Sequence, residues 1–142
     1  MGLESENPFR RPRRTTEPQD SGPLGPMLDL AQLKELRQMP GGTGGTLLEE
    51  LIEILSRELP PDLARIQLLV QQREVAAAQL AHRVAGSAAT IGAARLRKVL
   101  HAVEQAARKA DWPAADAACA TLDQDWQLTR EALKKAAEPP PL

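Results

Sequence analysis

The sequence predicts an all-α protein: an antiparallel four-helix bundle with a short N-terminal helix and a disordered N-terminal arm. Hydrophobic residues make up 42% of the 142 residues but aromatic residues only 2%, so the core must consist mainly of Leu, Ile, Val and Ala. Apolar residues recur at helical spacing in four long stretches that short turns separate. No stretch has the alternation of a strand. The length favours a single domain.

Residues 1–26 form the predicted arm. They contain five prolines and almost no apolar periodicity, so they bury too little surface to offset the entropy lost on ordering. A cluster of arginines could bind a partner or nucleic acid, but four acidic residues balance its charge. We therefore predict a solvated arm, a folded domain over residues 27–138 and a proline-rich tail over residues 139–142.

Two helices begin the predicted domain. Asp29 is a suitable N-cap for a short helix that ends before Pro40-Gly41-Gly42, with Leu30, Leu33 and Leu36 facing inward. Thr46 and Glu49 have capping-box spacing at the start of a second helix, over residues 46–71.

Pro60-Pro61 falls inside that second helix. Because the apolar phase continues through the two prolines, we predict one kinked helix rather than a break with a fresh start at Pro61. The predicted inward set is Leu48, Leu51, Leu55, Leu59, Leu63, Ile66 and Val70.

Three further segments complete the predicted bundle. A helix over residues 74–91 turns at Gly92 into another that ends near Ala110 and buries Leu96, Val99, Leu100 and Val103. Asp111-Trp112-Pro113 signals the start of the last helix. That helix is predicted to continue to Glu138, with Ala118, Leu122, Trp126 and Leu133 facing the core.

The helix over residues 74–91 carries His82 on a face of small residues. At ~100° per residue, Leu80, Val84 and Ile91 form one apolar stripe, and His82 lies almost opposite it. We therefore predict a solvent-exposed imidazole on a surface where another protein could dock, the alternative being a face that packs on a neighbouring helix. The predicted docking surface around His82 consists of Val75, Ala78, Gln79, Ala85, Gly86 and Ala89.

The sequence lacks the residue sets that most catalytic and metal-binding sites require. Two histidines and the single Cys119 are too few for a histidine-rich or cysteine-cluster metal site, and we expect no bound metal or cofactor. Gly-Gly-Thr-Gly-Gly at 41–45 fits a flexible linker better than a phosphate loop.

The net charge of −1 argues against nucleic-acid binding. No signal peptide or membrane span is evident, so we expect a cytoplasmic protein. His101 and Cys119 are interpreted as structural.

An exposed imidazole can still act as a nucleophile near neutral pH, since the unperturbed imidazole pKa is about 6.5. Phosphoryl transfer depends mostly on positioning and charge stabilisation, which a partner protein can supply.

The segment from Leu80 to Leu96 resembles the histidine-containing phosphotransfer (HPt) family. His82 matches the phospho-accepting histidine, Gly86 the glycine four residues later, and Ile91-Gly92 the closing pair. The apolar positions Val84 and Leu96, and Glu104 as a polar residue beside the histidine, also fit, and a looser resemblance extends from about Leu28 to Leu133. The chain has Ala85 where the family usually has a lysine that helps to neutralise the phosphoryl group.

The resemblance implies a phosphohistidine carrier rather than an enzyme. His82 would accept a phosphoryl group from an aspartyl phosphate of a receiver domain and pass it to another receiver. The receivers would belong to a hybrid histidine kinase or to response regulators and would supply Mg²⁺ and the catalytic residues. We expect a monomer without nucleic-acid or membrane partners, and the starting Met1 favours a free-standing protein over a piece of a hybrid kinase.

A basic residue could replace the lysine missing at Ala85. Residues equidistant from Gly92 should lie level in the hairpin, which sets His82 beside Ala102. Arg97, His101, Glu104 and Arg108 then form one polar flank of the next helix. We predict that Arg83, and after it Arg97, offset the phosphoryl charge.

Two other interpretations remain open. One is a degenerate bundle that binds receivers without relaying phosphate. The other is an unrelated helical adaptor that packs its small-residue face on a partner helix.

Overall fold

The computed structural model of the chain describes residues 25–138, and these contain six α-helices. The helices are α1 (Leu30–Gln38), α2 (Leu47–Gln71), α3 (Ala76–Thr90), α4 (Ala94–Arg108), α5 (Trp112–Cys119) and α6 (Leu122–Ala137). Within this part of the chain there is no strand, only an isolated bridge between Pro40 and Thr46. The predicted arm up to residue 24, with its arginine cluster, and the predicted tail over residues 139–142 lie outside the described residues.

The four longest helices form the predicted four-helix bundle. α2 and α4 occupy opposite corners, and each packs against both α3 and α6. The connections between α2 and α3 and between α3 and α4 are short, as antiparallel neighbours require. α1 covers one side of α2, and α5 packs on α4 and α2. None of the helices between residues 25 and 138 combines the length and apolar character needed to cross a membrane.

The predicted caps of α1 and α2 are confirmed. The Asp29 side chain accepts from the backbone N–H of Gln32 at 3.2 Å. Thr46 and Glu49 form both halves of a capping box, at 3.1 and 3.0 Å. α2 runs unbroken through Pro60 and Pro61, so the alternative of a fresh start at Pro61 is wrong. Burial of the leucines on either side of the prolines holds the helix together, while the bend itself stays a prediction.

The predicted last helix is wrong in one respect, because it is two helices. α5 ends at Cys119, and α6 begins at Leu122. Acidic residues in the first turn of α6 favour a helix N-terminus there, since they complement the helix dipole. The hydroxyl of Thr121 also donates to Asp125 at 2.8 Å. This new start separates the two helices.

Three inward positions also differ from the prediction. Ala118 is only half-buried, and Ala115 takes the fully buried position on α5. Leu30 is 59% exposed, because it is the first residue of α1 and no preceding helical turn packs beside it. Leu51 is half-buried, and Ile52 takes its place in the core. The remaining predicted core residues of α2 are buried.

Alanines give α3 its role in the bundle. Ala77, Ala81 and Ala88 are fully buried, and their short side chains allow close approach of a neighbouring helix. α3 makes its most extensive contact with α4, so these two helices form a tight hairpin. Cys119, the last residue of α5, is buried, and burial raises its pKa to about 11, so the thiol stays protonated and unreactive at neutral pH.

The segment before α1 fixes the turn of this hairpin. The backbone N–H of Asp29 donates to the carbonyl of Gly92 at 2.8 Å, and that of Arg95 donates to the carbonyl of Met27 at 3.1 Å. Gly92 has φ +77°, a backbone conformation that residues with a side chain rarely adopt. A Cβ added there would lie 3.3 Å from the carbonyl oxygen of Asp29 and from the side chain of Leu33.

Replacing this glycine should therefore destabilise the bundle. We expect Gly92→Ala to lower the free energy of unfolding by about 1–2 kcal/mol, because the left-handed backbone is strained by a side chain. Urea unfolding followed by circular dichroism measures the change. Gly42→Ala is the matched control, since a Cβ at Gly42 meets only ordinary contacts with Glu50. Equal effects of the two substitutions would contradict this account of the turn.

Candidate functional site

His82 lies two turns into α3, and its side chain is 73% exposed. The residues on the opposite side of the helix, Val84 and Ala88, are buried. The accessible position predicted for the imidazole is therefore confirmed. The alternative, in which this face packs on a neighbouring helix, is wrong at His82.

One nitrogen of the imidazole faces a carboxylate from the next helix. His82 Nδ1 lies 3.2 Å from Oε1 and 3.1 Å from Oε2 of Glu104. A carboxylate can only accept, so Nδ1 carries the hydrogen in the neutral ring. This arrangement assigns the lone pair to Nε2. The site thus holds a nucleophilic nitrogen on an exposed side chain.

Glu104 is only 3% exposed although it carries a charge. A buried carboxylate is costly unless it is paired, and here the partners are basic. Arg108, one turn later on α4, contacts the same Oε2. His101, one turn earlier, places Nδ1 at 3.6 Å from Oε1. Two helices therefore bring two imidazoles and one guanidinium to a single carboxylate.

The side chain of His82 contacts Glu104, the polar residue expected beside it, rather than Ala102, with which the count from Gly92 sets it level. Side chains in a helix tilt towards the N-terminus of that helix. In an antiparallel pair the two tilts run in opposite directions, so contacts are displaced from the level of the Cα atoms. His101, interpreted from the sequence as structural, is an exposed member of this cluster.

The predicted docking surface is narrower in the structure than in the sequence. Ala78 and Ala85 are buried, at 3% and 9% exposure, and contribute almost no surface of their own. The reason is that α3 packs against both α2 and α4, which cover the flanks of its outer face. Of the predicted surface, Val75, Gln79, Gly86 and Ala89 stay exposed, and together with His82 we call them the exposed strip of α3.

Gly86 has no steric reason to be glycine. A Cβ added there would meet nothing within 4 Å among residues 25–138, and Gly86 lies inside a regular helix. A glycine in a helix interior costs roughly 0.5–1 kcal/mol relative to alanine. Packing within this part of the chain does not explain that cost. The bare backbone keeps the surface one turn from His82 open to an approaching molecule.

Arg83 is directed towards α2. Its Nη2 lies 3.9 Å from Oδ1 of Asp62, and its side chain is 69% exposed. Arg97 has an exposed side chain and no ion pair within residues 25–138. The predicted role of these two arginines in offsetting phosphoryl charge stays a prediction. Arg108, whose i, i+4 spacing from Glu104 is visible in the sequence, is the basic residue that the structure brings to the site.

No group of three or more His, Cys, Asp or Glu residues in the described part of the chain is arranged to hold a metal ion. The cluster around Glu104 contains one carboxylate and three basic side chains, so it offers a cation a single anionic ligand. Its exposed nitrogen is the group best placed to react with an electrophile from a partner.

Comparison with known proteins supports the resemblance found in the sequence. The model of the Hpt domain family matches residues 50–134, more than half of the chain, including His82, Gly86, Gly92 and Glu104. A search of curated proteins finds no match. The matched segment extends from the first turn of α2 nearly to the end of α6, so it covers α3 and α4 completely and most of α2 and α6. The chain therefore belongs to the Hpt domain family.

Proposed function

We propose that this protein relays phosphoryl groups between receiver domains in a multistep two-component phosphorelay, with His82 as the carrier. Members of the Hpt domain family are phosphocarrier modules that interact with receiver domains. The observation that carries the proposal for this chain is the exposed imidazole of His82, whose Nδ1 is bound by the buried carboxylate of Glu104.

The hydrogen bond to Glu104 prepares the imidazole for attack on phosphorus. Nε2 of His82 donates its lone pair to the phosphorus of an aspartyl phosphate, and the bond between phosphorus and the carboxylate oxygen breaks. The aspartate leaves with that electron pair. The ring keeps its hydrogen on Nδ1 and acquires positive charge as the bond to phosphorus forms. The negative charge of Glu104 stabilises that positive charge, in the same way that a buried aspartate stabilises the imidazolium of a serine protease.

The same contact supports the return step. Attack by an aspartate of a second receiver on the phosphorus breaks the bond to Nε2, and the neutral imidazole is restored with its hydrogen still on Nδ1. In this proposal the chain needs no cofactor of its own. The receiver supplies Mg²⁺ and the residues that stabilise the transferring group, as the family resemblance implies.

The exposed strip of α3 is the proposed docking surface. It contains no Asp, Glu, Lys or Arg, and it is small at Gly86 and Ala89, so a partner can approach the imidazole closely beside the exposed Arg83. Val75, at the start of α3, is 57% exposed and offers an apolar contact at the edge of the strip. Such a surface suits a folded partner that brings its own polar active site to the histidine.

A receiver-binding bundle without phosphotransfer is the second candidate. Ala85 favours it, because the residue is buried and cannot supply the charge of the lysine usual in the family. Intact His82 and Glu104 favour the relay, since a pure binding surface needs neither a nucleophile nor its hydrogen-bond acceptor.

Incubation with a phosphorylated receiver distinguishes the relay from the receiver-binding bundle. A set of receiver domains is phosphorylated with a small acyl phosphate, freed of donor and mixed with the chain. We expect phosphate on this chain that is labile to acid and stable to base, and its transfer onward to an unphosphorylated receiver. Binding of receivers without phosphate uptake would contradict the relay. The monomeric state and the cytoplasmic location stay predictions.

A further inference from the structure

Glu104 binds two basic groups through one oxygen. Its Oε2 accepts from His82 Nδ1 at 3.1 Å and also contacts Nη2 of Arg108. Arg108 is the last residue of α4, and its side chain is 58% exposed. It does not contact His82 itself in an ion pair or hydrogen bond. Any influence it has on the imidazole therefore passes through the carboxylate.

Among residues 25–138, Arg108 is also the only permanent cation at this carboxylate. Within ion-pair distance of Glu104, residues 25–138 place His82 from α3 and His101 and Arg108 from α4. The two histidines are charged only when protonated, whereas a guanidinium keeps its charge throughout the physiological range. Arg108 thus provides the counter-charge for the buried carboxylate when both imidazoles are neutral.

We propose that Arg108 is a positioning residue for phosphotransfer, acting through Glu104 to keep His82 neutral with its hydrogen on Nδ1. This inference rests on the proposed function. Without Arg108, the charge of the buried carboxylate is uncompensated and favours a second proton on the imidazole. A doubly protonated ring carries its extra hydrogen on Nε2 and has no lone pair for phosphorus. Loss of Arg108 also removes its repulsion of that imidazolium.

The direction of the pH shift follows from the fact that Arg108 and a second proton on His82 are alternative counter-charges for Glu104. Losing Arg108 favours the protonated ring, so a higher pH is needed to release the nucleophile. Phosphoryl uptake should shift to higher pH, and the maximum rate at alkaline pH should change little. A merely structural contribution would lower the rate at every pH without moving the profile.

Phosphoramidate is a suitable donor because it needs no docking surface. Nε2 of His82 attacks its phosphorus, the bond between phosphorus and nitrogen in the donor breaks, and ammonia leaves. Initial rates of uptake are measured from pH 5 to 9 for the parent chain, Arg108→Gln and Lys109→Gln. Lys109 is the matched control, since it is the adjacent residue, is exposed and loses the same charge on substitution.

We expect Arg108→Gln to raise the pH of half-maximal uptake by about 0.5–1 unit, which lowers the rate three- to tenfold on the acid side. Lys109→Gln should have the pH profile of the parent chain. Arg108→Lys, which keeps the cation, should have a profile close to that of the parent. Thermal unfolding verifies that each variant is folded.

Two failures are distinguishable. If the parent chain takes no phosphoryl group from phosphoramidate or from any phosphorylated receiver, the proposed function is wrong. If the parent is phosphorylated but Arg108→Gln has the same pH profile as Lys109→Gln, only the inference about Arg108 is wrong. A rate lowered equally at all pH values would contradict it as well.

Discussion

His82→Gln should abolish phosphate uptake from a phosphorylated receiver while leaving the bundle folded. Glutamine has no nucleophilic nitrogen, so the loss should be complete within detection. Because the side chain is 73% exposed, the free energy of unfolding should change by less than about 1 kcal/mol. Uptake is followed with labelled phosphate, and stability by urea unfolding.

His101→Gln is the comparison for this substitution. It removes the other histidine near Glu104 and should leave a chain that is still phosphorylated. Persistent labelling of His82→Gln, or labelling lost only in His101→Gln, would identify the wrong acceptor. A large loss of stability in His82→Gln would mean that the imidazole holds the hairpin together rather than serving a partner.

Gly86→Gln should separate docking from chemistry. A longer side chain in the exposed strip should obstruct the receiver, and an obstruction worth about 1.4 kcal/mol already lowers transfer tenfold. The same change replaces a helical glycine and meets open space, so the bundle should become more stable by roughly 0.5–1 kcal/mol. Uptake from phosphoramidate should persist, since this donor does not dock.

Ala117→Gln provides the matched control. It adds the same side chain to an exposed alanine of α5, away from the strip on α3. Transfer from the receiver should then equal that of the parent chain. If Gly86→Gln also transfers at the parent rate, the receiver approaches from another side, and the openness at Gly86 needs another explanation.

The local features of this fold were predictable from the sequence because short-range physics determines them. Capping at Asp29 and Thr46 depends on residues within a few positions, and the apolar phase through Pro60-Pro61 and the glycine at the turn are visible in the sequence itself. The exposure of His82 followed from its angle to the apolar stripe alone.

Features that depend on contacts between helices were less predictable. Periodicity gives the outer face of α3 but not how far α2 and α4 cover its flanks, so the burial of Ala78 and Ala85 was missed. A count from Gly92 sets His82 level with Ala102, whereas its side chain contacts Glu104, because side-chain tilt is invisible in that count. The role of Arg108 depends on that same contact, although its spacing from Glu104 was visible.

The nitrogen that carries phosphorus tests the central claim most directly. In the isotope-labelled, phosphorylated chain, long-range proton–nitrogen NMR correlations distinguish the two ring nitrogens of each histidine, and coupling to phosphorus identifies the bonded one. The hydrogen bond between Nδ1 and Glu104 predicts phosphorus on Nε2 of His82, with the hydrogen retained on Nδ1. Phosphorus on Nδ1 of His82, or on either nitrogen of His101, would contradict the account.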